Sequence, residues 1–195
     1  TMKKSSLSPE RSIELIEEMI HKARIRFEEN GFAFILWGCI VPLASFSQTY
    51  LLYNGFAKIS WYPYFLMPLG MVYMMWYYRN KERKSQGKNH LNVISSRLWL
   101  FTGLNIMLMG FFFSTYLQTS LVPIILILIG IATGVAASFI RSKLLLYCGL
   151  MFNAGGYIAF FTPAINHPLL MGVLSILGFL IPGIILHFKH QKEHV

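Results

Sequence analysis

The sequence predicts an all-α polytopic membrane protein: six transmembrane helices arranged as three hairpins, preceded by a cytoplasmic amphipathic helix. Three observations predict it. Charged residues make up 13% of the 195 positions, far below the roughly 25% of a soluble domain. Residues 30–57, 59–78, 98–140 and 144–188 contain no Asp, Glu, Lys or Arg. A helix of about 20 apolar residues crosses the ~30 Å hydrocarbon core and satisfies its own backbone hydrogen bonds. The last two runs are long enough for two crossings each. Finally, of 17 Lys and Arg residues, all but Lys58 fall in segments that share one side if each apolar stretch crosses once. Cytoplasmic loops retain positive charge, so that side is the cytoplasm and both termini lie there.

Residues 1–31 read as the cytoplasmic helix. Ser8 is a suitable N-cap with Pro9 at the first helical position, and Asn30-Gly31 is a suitable stop. Ile13, Ile16, Ile20, Ala23 and Phe27 recur at helical spacing, and Leu15 and Met19 widen the stripe. Glu18 and Lys22 can pair across one turn. All acidic residues of the chain are Glu, and Glu10, Glu14, Glu17, Glu18, Glu28 and Glu29 precede the first crossing. The stripe has three places to be buried: the underside of its own bundle, a partner helix or second copy, or a lipid surface. The Glu content argues against acidic lipid headgroups. Ile13, Ile16, Ile20 and Phe27 are the candidate partner-docking residues.

The transmembrane domain covers 32–188, with spans near Phe32 to Tyr53, Trp61 to Tyr78, Leu98 to Leu117, Leu121 to Ile140, Leu144 to Thr162 and Pro168 to Phe188. Asn54-Gly55, Gln118-Thr119-Ser120 before Pro123, and Thr162-Pro163 through His167-Pro168 supply the outer turns. Tyr50, Tyr53, Trp61 and Tyr62 at outer ends, with Trp76, Tyr77, Tyr78 and Trp99 at inner ends, suit interfacial aromatic belts. A basic cytoplasmic loop occupies 79–97, and 189–195 forms a cytoplasmic tail. No cleavable leader is expected, since the residues before Phe32 are rich in charge.

Small residues mark where helices can approach. Gly130, Gly134 and Ser138 form a small-xxx-small ladder in the fourth span, the candidate helix-packing site. The odd spans share a second pattern, an aromatic residue near Gly38, Gly103 or Gly149, with Ser45, Gly110 or Gly156 seven residues later. A threefold hairpin repeat and convergent packing both explain it. Pro42, Pro68 and Pro182 lie inside spans and are expected to kink them. Met67, Met71, Met74 and Met75 spread around their helix, as gap-fillers do and convergent copper ligands do not.

The chemistry is mostly absent. There is no Asp, no His-Glu-x-x-His helix and no Gly-rich phosphate loop, and no span holds a carboxylate. Catalytic, cofactor-binding and metal-ligating residues are therefore not expected. His187, His190 and His194 share the inner end of the last helix beside Glu193, a divalent-metal pattern that a solvated tail also explains. Glu18-x-x-His21 is half of a di-iron motif without the other carboxylates such a site requires. Gln48, Asn105 and Asn153 are the amides well inside the spans. They read as interhelical hydrogen-bonding groups or as a candidate polar pocket. Cys39 and Cys148 lie in the cytoplasmic half of the membrane, where a structural disulfide is not expected. The basic residues flank spans as topology requires, so nucleic acid is not an expected partner.

Ile16-Glu17-Glu18-Met19-Ile20, Arg26-Phe27-Glu28-Glu29-Asn30-Gly31-Phe32 and Leu36-Trp37-Gly38 carry a family likeness. The chain resembles a group of small six-span bacterial inner-membrane proteins in which an acidic helix leads into a Trp-Gly first span. The resemblance covers about the first forty residues and is hydropathic beyond them. It implies a multi-pass protein of the bacterial inner membrane and carries over no functional residues.

The expected partners are the lipid bilayer and either a cytoplasmic protein or a second copy of the chain. The expected function is a non-enzymatic interaction or regulatory component that docks its partner on the cytoplasmic face. The alternative is a small-molecule or lipid-binding permease built around the three amides.

Overall fold

A computed structural model describes Arg11 and residues 31–82, 90–140 and 142–193. The amphipathic segment before Gly31 and the centre of the basic loop lie outside the described residues. Within them the chain is all-helical, without strands. The helices are α1 (Gly31–Tyr53), α2 (Leu66–Glu82), α3 (His90–Phe112), α4 (Leu121–Ile140), α5 (Lys143–Ala159), α6 (His167–Ser175) and α7 (Ile181–Glu193). A π-helical segment, Ile176–Leu180, joins the last two into one rod.

Among the described residues, three helices are long and apolar enough to cross a membrane: Gly31–Tyr53, Ser114–Phe139 and Ala164–Phe188. Length and composition thus support three spans and do not support the expected six. The others fall short for local reasons. The expected span from Trp61 begins as a helix only at Leu66, because Pro63 sits in a 3-10 turn, Tyr62–Phe65. Its far end runs into Arg79, Lys81 and Glu82. The apolar part of α3 is Ser96–Phe112. The 17 residues of α5 rise about 25 Å, less than the ~30 Å core.

Pairing within the bundle departs from three hairpins. The closest packing joins α4 to α5 and joins α1 to the α6–α7 rod. The α4–α5 pair is consecutive in the chain but straddles two of the expected hairpins, and chain order does not predict the pairing of α1 with the last rod, where backbone access at glycine selects the partner. A Cβ at Gly38 would lie 2.8 Å from Leu180 Cβ and would clash with the Leu180 backbone. At Gly31 it would meet the Gly183 carbonyl at 2.9 Å, and at Gly172 the Phe46 ring at 2.7 Å. Tyr53 Oη donates to Asn166 Oδ1 at 2.8 Å. The two rods are therefore antiparallel and touch from end to end. The α4–α5 seam has the same chemistry: a Cβ at Gly149 would lie 2.8 Å from Gly134 N, and one at Gly156 3.0 Å from the Pro123 carbonyl.

Aromatic rings fill the space between the seams. Phe152 and Phe179 have centroids 4.8 Å apart, Phe34 and Phe179 5.8 Å, and Phe34 and Trp99 6.2 Å. Each such pair adds about 0.5–1.5 kcal/mol beyond its buried area. The α2 helix leans on α1 through Phe32 stacked on Tyr77 at 4.6 Å, and Gly70 meets Trp37 and Ile40. Phe65 and Phe111, 6.2 Å apart, bring the start of α2 beside the end of α3. One end of the bundle thus carries the three turns 54–65, 113–120 and 160–166. Arg79, Arg97 and Lys143 belong to segments at the opposite end, and Lys58 to the turn end.

The prolines act differently from one another. Helix α1 runs through Pro42 without interruption. Pro68 does not kink α2, because it sits in the first turn, where its missing N–H has no intrahelical acceptor. Pro182 offers no N–H to the Gly178 carbonyl, and its ring displaces that carbonyl. The backbone there widens into the π segment.

The two small-residue environments give a direct comparison. Gly38→Ala forces Leu180 backbone away and is expected to cost about 1–3 kcal/mol. Gly103→Ala, where a Cβ meets nothing within 4 Å, is expected to be neutral or slightly stabilising through helix propensity. Thermal unfolding in detergent distinguishes them; equal responses would contradict this packing.

Candidate functional site

An open groove of about 340 Å³ runs along the α4–α5 pair. Glycine creates it. Gly130 and Gly149 bring the two backbones together at its floor, while Gly134 leaves the floor empty, since a Cβ there meets nothing within 4 Å. Ile131, Val135, Leu146 and Leu150 line the groove and are exposed. Two polar side chains join them. Ser138 Oγ donates to the Gly134 carbonyl at 3.0 Å, and Asn153 Nδ2 donates to the Gly149 carbonyl at 3.0 Å. None of the lining residues is ionisable, so the groove is suited to holding an apolar chain or helix and not to acid–base chemistry.

The predicted site residues divide among several places. Gly130, Gly134 and Ser138 all line the groove, together with Asn153. Within the ladder, Gly130 is taken up by Asn153, whose backbone N would stand 2.8 Å from an added Cβ. Gly134 and Ser138 face the open side. The groove includes neither Gln48 on α1 nor Asn105 on α3, so the three amides do not converge there. Nor do Asn105 and Asn153 donate between helices. Asn105 Nδ2 bonds the Phe101 carbonyl at 2.8 Å, four residues back on its own helix, as Asn153 does with Gly149. A carbonyl one turn earlier is always within reach of a short amide, which lets it dispense with a partner helix. Ile13, Ile16, Ile20 and Phe27 lie outside the described residues. Cys39 is exposed and Cys148 buried, both free. No group of three metal-ligating side chains occurs among the described residues, and His194 lies outside them.

Two buried polar residues matter more than the sequence suggested. His167, 4% exposed, places Nε2 2.8 Å from the Ala159 carbonyl and 3.1 Å from that of Thr162. It ties the end of α5 to the start of α6, and Pro163 and Pro168 mark this turn without revealing the bond. Ser175, 1% exposed, is the residue before the π segment, and its hydroxyl has no partner among the described residues. No periodicity distinguishes it from the other small residues of that face.

The repeat pattern of the odd spans is used twice. Gly38, Ser45, Gly149 and Gly156 are all buried in seams. Gly103 and Gly110 on α3 face open space. No family model matches the chain, and no curated protein or solved structure matches it.

Proposed function

We propose that the chain is a multi-pass protein of a bacterial inner membrane that acts without catalysis, docking a partner on its cytoplasmic face. The observation that supports the membrane reading best is the inverted polarity of the bundle. Leu43, Leu69, Val72, Leu100, Phe101, Phe112, Leu150, Ile158 and Phe161 are exposed on its outside, while the seams are built from Gly, Ala and Ser. Water would penalise such an exterior, and lipid would not.

All six rods cross in this reading, the shorter ones reaching the interfaces through flanking aromatic and basic side chains, as mismatched spans do. Two antiparallel seams, with the turns 54–65, 113–120 and 160–166 gathered at one end, support an alternating order. Arg79, Arg97 and Lys143 then face the cytoplasm and Lys58 the outside. Docking is assigned to the cytoplasmic face because the outer turns are short, whereas the Ile13–Ile16–Ile20–Phe27 stripe and the basic loop lie on the other side.

Orientation is tested by a membrane-impermeant thiol reagent on intact cells whose native cysteines are replaced. Lys58→Cys is expected to react and Arg97→Cys to be protected; the reverse pattern would invert the topology. Docking is tested by deleting residues 1–30 and comparing the proteins recovered by in-cell crosslinking. The expected result is loss of specific partners with membrane insertion retained, and an unchanged set would sink the docking reading.

A further inference from the structure

An exposed lysine, Lys143, lies about one turn of α5 beyond the groove on α4 and α5. On α5, Lys143, Leu146, Leu150 and Asn153 recur at spacings of three and four and so share a face. The last three line the groove, and Lys143 is exposed where α5 begins, at the basic end. On α4, the antiparallel neighbour, Ser138 lies at the same end. From Lys143, outside the groove, to Asn153 at its far end the helix rises about 15 Å, half the ~30 Å hydrocarbon core. The groove itself, from Ser138 to Gly130 on α4, spans about 12 Å and so lies within one leaflet. Its lining ends at Gly130 and Asn153, which pack together.

We infer that this groove holds an acyl chain of an anionic phospholipid from the cytoplasmic leaflet, with its phosphate at Lys143. Depth and charge both select this occupant. A transmembrane helix from a second copy would run on past Asn153, where the groove has ended, whereas an acyl chain ends within its own leaflet. The exposed Lys143 ammonium complements a phosphate placed at the interface, where one basic side chain contributes about a fivefold preference for anionic lipid. Gly134 provides the room, since any larger residue there would fill the floor. The Ser138 hydroxyl lies beside the mouth, near the glycerol level.

The inference rests on the membrane reading, and the two fail differently. Protein recovered from the soluble fraction would remove the membrane reading itself; loss of lipid selectivity alone would remove only this one. The experiment is native mass spectrometry of the full-length protein in detergent, given equimolar phosphatidylglycerol and phosphatidylethanolamine with identical acyl chains. The wild type is expected to retain phosphatidylglycerol about fivefold over phosphatidylethanolamine. Lys143→Gln is expected to abolish the preference while retaining total lipid. Gly134→Leu, which fills the floor without meeting a neighbour at Cβ, is expected to remove the bound lipid, and Gly103→Leu on α3 to leave it in place. Equal retention of the two lipids by the wild type, or full retention by Gly134→Leu, would overturn the assignment. So would a wild-type dimer that Gly134→Leu dissociates, which would give the groove to a second copy.

Discussion

Close backbone approach at glycine is the constraint on which the rest of the structure depends. In a bundle solvated by lipid, as proposed, apolar side chains gain little by leaving one apolar environment for another, so helices associate through packing and hydrogen bonds. Packing attraction falls steeply with distance, and a side chain in the seam would hold the rods apart. Gly31, Gly38, Gly172 and Gly183 remove that obstacle between the first and last rods, and Gly130, Gly149 and Gly156 remove it between α4 and α5. Larger side chains fill the space outside the seams: Phe34, Phe152, Phe179 and Trp99 pack where the two pairs meet.

Other features follow from those two seams. The π segment before Pro182 lies opposite Gly38, so the backbone is widened where the first and last rods press closest. Beside it, the Ser175 hydroxyl has no partner among the described residues. The His167 bonds to Ala159 and Thr162 fix the turn that carries the chain from one seam to the other. Helices α2 and α3, which lack buried glycine ladders along their length, lie at the periphery. The groove lies over the closed α4–α5 seam, where Gly134 carries no side chain to fill the space above its contact with Gly149.

Much of the helical layout was legible in the sequence, because charge-free runs and turn residues act locally. The span expected from Leu121 to Ile140 matches α4, and that from Phe32 differs from α1 by one residue. Pairing was not legible. The Gly-x-x-x-Gly-x-x-x-Ser ladder of α4 announces a close neighbour without naming it, and the single glycines at 38 and 183 carry no pattern that links them across the chain. The amides misled for a related reason. Asn105 and Asn153 have partners one turn away on their own helices, so their presence in an apolar run does not require another helix. Of the candidate site, the small ladder and Asn153 were readable separately. Their meeting in one groove depends on the α4–α5 register, which only the three-dimensional fold supplies.

The account places the first and last helices side by side along their whole length, and the ends of that contact are directly measurable. In a chain with Cys39 and Cys148 replaced, cysteines at Tyr53 and Asn166, whose side chains meet at 2.8 Å, are treated in native membranes with a short bismaleimide. The account predicts efficient crosslinking within one chain, seen as a mobility shift of the monomer that either single cysteine fails to give. Absence of the intrachain product, or a crosslinked dimer in its place, would contradict it.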